Sequence, residues 1–210
     1  MSTSVPSTSI TAVSGVVIRA GYPRAAGPVR VRPVICALRC RRVERPACRT
    51  AAALFGLPTL VGAGDAVPLA DGAFPACWCL GVLCTVEDKA AVLAELHRVL
   101  RPGGSLGLLV FLADTERPAG SPEGNRFPSA PELRALLHDA GFALTDEAAL
   151  TAFPPSPQDW RDSTARVDAV LDRDHGHDPR HAAAREQSER IGRLIADGTV
   201  TGLLLHAVAR

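Results

Sequence analysis

The stretch Ala94-Glu95-Leu96-His97-Arg98-Val99-Leu100-Arg101-Pro102-Gly103-Gly104-Ser105-Leu106-Gly107-Leu108-Leu109-Val110-Phe111-Leu112 changes period midway. Up to Leu100 the apolar residues continue a helical repeat, so Val92, Leu93, Leu96, Val99 and Leu100 share one face. Arg101-Pro102-Gly103-Gly104 then withdraws a backbone donor and adds two poor helix formers, which stops the helix. From Leu106 to Leu112 both alternating sets of positions are apolar except at Gly107, the pattern of a strand covered on both sides in a parallel sheet. Helix, hard stop and doubly covered strand together are the grammar of an α/β domain.

The same grammar extends in both directions. Upstream, Asp71-Gly72 is a turn signal and Cys77 to Leu83 reads as a strand, after which Thr85 caps a helix with Asp88 completing a capping box. Thr59 to Val61 reads as a short buried strand leading to Gly64-Asp65-Ala66, and residues 50–56 as the end of a helix closing at Gly56. Downstream, loop 113–128 carries Pro118, Gly120, Pro122, Gly124 and Pro128, too many breakers for regular structure. Ser129 and Glu132 open a helix that buries Leu133, Leu136 and Leu137 and ends at Gly141, and Phe142 to Leu144 begins a strand. Two helices follow at roughly 157–173 and 179–196, the second opened by Asp178-Pro179 and closed near Gly198, before a last strand at Thr199 to Ala207. The chain thus divides into an irregular basic segment, 1–42, where only Val29 to Leu38 suggests a strand, and a domain over 43–210 with a helical insertion of about 155–197.

Composition bounds the class. With 22 acidic against 23 basic groups, 47% apolar and 21% charged residues, the chain of 210 residues has the profile of one globular domain. No apolar run approaches the roughly 18 residues of a membrane span. Met1 to Ser14 holds eight Ser or Thr and no charge, unlike an export signal, so a cytoplasmic chain is expected. Residues 1–50 carry nine arginines and a single acid, Glu44, whereas the remainder carries fourteen basic and twenty-one acidic groups. Such a block can steer an anionic partner or lie against the acidic remainder. Its arginines have almost no aromatic companions, which argues against nucleic acid. The six cysteines, at 36, 40, 48, 77, 79 and 84, match no standard zinc spacing and are expected as free thiols.

Three segments carry a resemblance. Gly64-Asp65-Ala66 with Leu69-Ala70-Asp71-Gly72-Ala73-Phe74 is similar to the GDA…LPFADGSFD pattern of class I S-adenosylmethionine-dependent methyltransferases of the small-molecule type. Without a gap, Phe74 to Asp88 lies on the family's FDAVWSLGVLHHVPD segment and Ala94 to Gly104 on its LREIxRVLRPGG segment, so the likeness covers about 43–152. It implies a Rossmann-like, mostly parallel sheet and S-adenosylmethionine as cofactor. It also implies that Asp65 takes the adenine amino group, which a carboxylate can accept and cannot donate to. The Ala66 amide would meet the ring nitrogen, and the backbone at Cys79 and Leu80 would lie beside the methionine part, at the carboxyl ends of the strands. Glu44 would hold the ribose hydroxyls. The implied reaction is methyl transfer to a small-molecule acceptor, with no metal and no named catalytic acid or base.

Departures from the pattern are as informative. The family's first strand ends in a glycine-rich DxGxGxG turn that approaches the cofactor closely; here no Asp precedes Asp65. Either the cofactor half is diverged or truncated, or the first forty-odd residues reflect a shifted reading frame. Pro75 replaces an Asp, and Cys84-Thr85 stand where many members have His-His. Two further readings stay open: a catalytically silent methyltransferase-like binding protein or remnant, and an RNA methyltransferase using the basic arm. Asp174-His175-Gly176-His177-Asp178, with His181, is expected as a solvated linker rather than a metal site. Trp160, Val167, Val170 and Leu171 pave either a lid or the core, His97 is expected exposed, and His206 packed.

Overall fold

The computed structural model describes residues 15–19, 34–38, 53 and 59–210, with side chains from residue 62 onward. Seven strands, β1 (Gly15–Arg19), β2 (Val34–Leu38), β3 (Thr59–Gly62), β4 (Phe74–Leu80), β5 (Leu100–Leu112), β6 (Phe142–Ala149) and β7 (Thr201–Ala209), form one sheet in the order β3-β2-β1-β4-β5-β7-β6. The pairs β2/β3 and β4/β5 are parallel, whereas β1 opposes β2 and β4, and β7 opposes β5 and β6. Five strands therefore run one way and two are reversed: the sheet is mixed but mostly parallel in direction. Among the residues described at both ends of an element, four α-helices accompany them: α1 (Lys89–Val99), α2 (Ala130–Asp139), α3 (Gln158–His175) and α4 (Pro179–Ala196).

Two strands come from the basic segment 1–42. β2 falls within the stretch Val29 to Leu38, while β1 was not anticipated; its sequence Gly-Val-Val-Ile-Arg is short, but its β-branched core is what strands favour. The helix expected at 50–56 lies outside the described residues apart from Ala53, which is helical, as do Cys36, Cys40 and Cys48 in their side chains.

The core lies on one face of the sheet. Cys77 and Cys79 of β4, Leu106, Leu108 and Val110 of β5, and Leu205 and Ala207 of β7 point toward Val92, Leu93, Leu96 and Val99 of α1 and Leu133 and Leu137 of α2. The alternation is strict on β5, where even-numbered positions from 106 to 112 are buried and odd ones half-buried. Among the described residues the second face of β5 is covered only in part: α4 reaches the upper end, through Leu194, Ile191 and Ile195 with Phe111 and Val200.

Boundaries differ where side-chain bonding competes with pattern. β4 begins at Phe74, three residues early, and ends at Leu80, because Gly81 takes φ +70 and turns the chain. Thr85 does not cap α1; its hydroxyl donates back to the Val82 carbonyl (2.8 Å), and Asp88 is the cap, accepting from the Ala91 N–H (2.9 Å). Arg101-Pro102-Gly103-Gly104 ends α1 as expected but forms an excursion inside β5: Phe74 pairs with Leu100, and Ala76 already with Ser105. By contrast, the Ser129/Glu132 capping box is present, and the insertion between β6 and β7 is the helix pair α3 and α4, opened at α4 by the Asp178 cap and Pro179.

Leu96 is fully buried between α1 and the sheet. Leu96→Ala is expected to cost about 2–5 kcal/mol, read by urea unfolding, whereas Val167→Ala on the exposed side of α3 stays within about 0.5 kcal/mol.

Candidate functional site

The carboxyl ends of β2, β3, β4, β5 and β6 share one rim, which we term the upper rim. Register links across the sheet place its two halves: Val61 pairs with Ala37, Val16 with Cys36, and Gly15 with Leu80, so β3 and β4 end at nearly the same height. Three inter-strand spacings separate them, roughly 14 Å. Asp65 stands just beyond β3 in a turn, exposed, and accepts no hydrogen bond among the described residues. The Ala66 N–H closes that turn on the Ala63 carbonyl (3.1 Å), so its donor is already engaged. Cys79 is fully buried, and Leu80 is the last residue of β4; the Gly81 N–H next to it donates to the Leu109 carbonyl (2.9 Å). Asp65–Ala66 and Leu80 thus open on one rim, whereas Cys79, with no exposed surface on side chain or backbone, does not reach it. Glu44 lies outside the described residues.

Between these two halves stands β1, and its direction matters. Because β1 opposes both neighbours, its start, Gly15, faces the upper rim and its end, Arg19, lies at the level of Ala76 below. A glycine-rich turn following a strand at this place would need the strand to arrive at the upper rim; β1 leaves from it.

The segment after Asp65 must descend the height of the sheet, since β3 ends at the upper rim and β4 begins at the lower one. It does so against α1. Glu95 accepts the Val67 N–H (2.7 Å); Arg98 donates to the carbonyls of Val67 (3.0 Å) and Leu69 (2.9 Å), to both Glu95 oxygens (2.6 and 2.7 Å), and to Asp71. The Gly72 N–H reaches the Arg98 carbonyl (2.8 Å). The Arg98 guanidinium holds the Glu95 carboxyl below the usual carboxylate range, and the two carboxylates raise Arg98 in turn. Sequence reasoning did not single out this pair; an acid and an Arg three apart on the helix, flanking buried Leu96 and next to Val99, was the available signal.

Beyond β4 and β5 two loops meet. The Arg126 N–H donates to the Cys84 carbonyl (2.7 Å), and its guanidinium pairs with Glu116 (2.9 Å) and Glu87 (3.2 Å). The Glu123 N–H donates to the Gln187 side chain of α4 (2.8 Å), and Phe127 packs with Leu194 and Val200. Lys89, buried beneath, gives its ammonium to the Val86 carbonyl (3.2 Å); burial lowers its pKa. Cys84 is buried with its thiol on the Gly81 carbonyl (3.5 Å), and burial pushes its pKa up to about 11. Neither Cys84 nor Thr85, whose hydroxyl is committed to Val82, can take a proton at neutral pH.

Other candidates resolve as follows. Trp160, Val167 and Val170 are exposed and Leu171 half-buried, so the apolar side of α3 is not core. His97 corrects its expectation: it is half-buried, edge-on to Phe142 (5.3 Å between rings) and bonded to the Arg210 carbonyl (3.3 Å). His206 also differs, being exposed, its Nδ1 2.5 Å from the Thr145 hydroxyl; it is one residue out of phase with buried Leu205 and Ala207. His206 lines a cavity of about 360 Å³ on the second face with Trp78, Ser105, Gly107, Phe153 and Leu204. There the Trp78 ring lies so close over Gly107 that a Cβ would meet it at 3.2 Å. This cavity sits at mid-sheet, away from Asp65 and the upper rim. His181 joins α4 to α3 through Asp172 (2.8 Å), and among the described residues no group of three His, Cys, Asp or Glu could hold a metal ion.

A mixed, mostly parallel seven-stranded sheet of this order, with β1 and β7 reversed and helices between its strands, defines an open Rossmann-like α/β domain. Residues 37–108 match the family model described as a methyltransferase domain. The chain is 33% identical over 92 residues to the O-methyltransferase rstn1 of Aspergillus nomiae, covering 38% of this chain and 39% of that one. It is 32% identical over 108 residues to an uncharacterized protein of Mycobacterium tuberculosis, covering 44% and 36%. The match spans about two fifths of the length of these relatives. Among solved structures, the [4+2]-cyclase SpnF aligns at TM-score 0.53 with 23% identity, covering 77% of this chain and 60% of that one. Geranyl diphosphate methyltransferase in complex with SAM aligns at TM-score 0.53 with 16% identity, covering 80% and 66%. These last two likenesses are of fold; since one of the two is a cyclase, fold by itself does not choose the reaction.

Burial raises the Cys77 thiol from 9.0 to about 12 and Cys84 to about 11, and raises Cys79 as well. Peptide-mapped alkylation at pH 8 is expected to label these three on the order of a hundred times more slowly in native than in urea-unfolded protein. Because the unfolded thiols ionise from about 9.0 and the folded ones only later, their contribution to stability is whole below pH 9 and is lost as pH rises toward 11 and 12.

Proposed function

We propose that this chain transfers a methyl group from S-adenosylmethionine to a small-molecule acceptor. One observation carries the reading: the turn bearing Asp65 and the end of β4 open on the same rim, a nucleoside-length apart, in the order of motifs that the methyltransferase domain match spans. The residues present suit the cofactor at its nucleoside end, where an exposed carboxylate accepts an exocyclic amine. The Ala66 amide can take part only by sharing or releasing its bond to Ala63. The carbonyl of Leu80 would face the amino-acid end, with Cys79 packed beneath it. When bound, the cofactor supplies a methyl on a sulfonium, already a good leaving group, so neither metal nor acid is required to free it.

What the chain contributes is placement and exclusion of water. The loop 113–128, tied to α4 through Gln187 and to Cys84 through Arg126, supports a reading in which loop and insertion frame the acceptor. Cys84 and Thr85 are both committed, so neither is assigned as the group that takes the acceptor's proton. A cytoplasmic setting belongs to the same proposal; among the described residues no helix is long and apolar enough to cross a membrane.

A second reading, a methyltransferase-like protein that binds without catalysing, draws on the direction of β1, which carries no strand end to the rim. Titration calorimetry separates the two. Micromolar binding of S-adenosylmethionine is expected for the enzyme, with Asp65→Ala weakening it about tenfold or more, the loss of one charged hydrogen bond. No heat at millimolar cofactor would favour the silent protein.

A further inference from the structure

A dense polar network lies not at the rim but behind it. Of the eleven residues between β3 and β4, those from Val67 to Gly72 are tied to α1 by one carboxylate, one guanidinium and one carbonyl. No regular structure holds this crossing in shape: it has no helix and only the isolated bridge between Ala63 and Ala66. Its course is therefore set by what it bonds to. Glu95 is 13% exposed at its side chain and Arg98 32%, and Arg98 spends its fork on two backbone carbonyls and two carboxylates at once. Two of these bonds fall on Val67, two residues from Asp65. Since α1 is packed by Val92, Leu93, Leu96 and Val99 against β4 and β5, the bonds transfer the rigidity of that half of the sheet to a loop whose own strand, β3, is at the sheet edge.

We infer that Glu95 and Arg98 are positioning residues for the nucleoside end of the cofactor, fixing Asp65 against the β4–β5 half of the rim through the backbone of Val67 and Leu69. The inference rests on the methyl-transfer reading and deepens it. A bare carboxylate on an edge turn samples many positions, and a ligand that needs one of them binds more weakly by the fraction of time spent elsewhere. The clamp removes that loss. Arg is required rather than Lys, because only a planar fork reaches two carbonyls and two carboxylates together; an ammonium is a point charge on a flexible stem. Glu95 is needed twice, as acceptor for the Val67 N–H and as counter-charge for Arg98, and Gln keeps only the first role.

The test uses the full chain with S-adenosylhomocysteine and adenosine as calorimetric probes, alongside hydrogen exchange read by mass spectrometry. Arg98→Met is expected to weaken both probes by about tenfold or more, by the same factor, since the nucleoside is what they share. Exchange should rise in residues 66–72 and stay unchanged in 106–110 of β5. Arg98→Lys fails to restore affinity, and Glu95→Gln falls between Arg98→Met and the parent. In turnover the variants raise the KM for the methyl donor while kcat and the acceptor KM hold. Unchanged probe affinity with a loosened 66–72 segment overturns the inference, as does exchange that rises equally across β5, which marks a general stability role. If the unsubstituted chain binds neither probe, the methyl-transfer reading has failed and takes the inference with it; if it binds adenosine and the variants bind it equally well, only the inference has failed.

Discussion

Everything in this domain follows from β4 and β5 lying side by side and pointing the same way. Parallel neighbours cannot be joined by a hairpin, so the chain must climb out of β4, cross one face and re-enter below. α1 is that crossing, and its apolar stripe is what the crossing buries: Val92, Leu93, Leu96 and Val99 on Cys77, Cys79, Leu106 and Leu108. Once α1 is fixed, the loops that leave β4 and β5 are committed to the upper rim, the descending segment after Asp65 has a wall to lean on, and α2 has a groove beside α1 into which Leu133 and Leu137 fit. Ligands of open α/β sheets bind outside the carboxyl ends of parallel strands, and that is where the proposed site lies.

The two thirds of the chain from Asp71 onward is legible because local and global signals agree there. Periodicity, the Pro-Gly-Gly stop, the Ser129/Glu132 box and the Asp178-Pro179 start each name an element, and each element is present. Errors arose where one side chain had two options. Thr85 satisfied itself backward on Val82 and left the cap to Asp88; Gly81 ended β4 before the apolar run was exhausted. His206 was read as packed because its neighbours are apolar, yet alternation puts it on the open face while Leu205 and Ala207 go inward. β1 was invisible for the opposite reason: five residues with no flanking pattern carry too little period to be told from loop.

The candidate site was legible unevenly. Asp65 and the end of β4 could be named only through a resemblance of motifs, since a lone acid in a turn has no period and no partner to announce it. Their arrival at one rim depends on strand order and direction, which no local pattern encodes. Glu95 and Arg98 were visible as letters but not as a clamp, because their partners, the backbone of Val67 and Leu69, lie 28 to 31 residues away and carry no side-chain signature at all. Hydrogen bonds to backbone are the commonest use of a buried polar side chain and the hardest to read from sequence.

Strand direction also bears on how a cofactor could be held here. In a doubly wound sheet the place where neighbouring connections part to opposite faces opens a crevice, and a strand arriving there brings its following turn to the ligand. β1 occupies the middle of the sheet but departs from that crevice, so it brings no following turn to it. On the proposed reading, binding leans on the flanks: the Asp65 turn on one side and the β4 end on the other, about three strands apart. Two contacts that far apart favour a rigid ligand site only if both flanks are rigid. β4 is rigid by its place between β1 and β5; β3, an edge strand of four residues, is not, and the bonds from α1 to the segment behind Asp65 are what make up the difference.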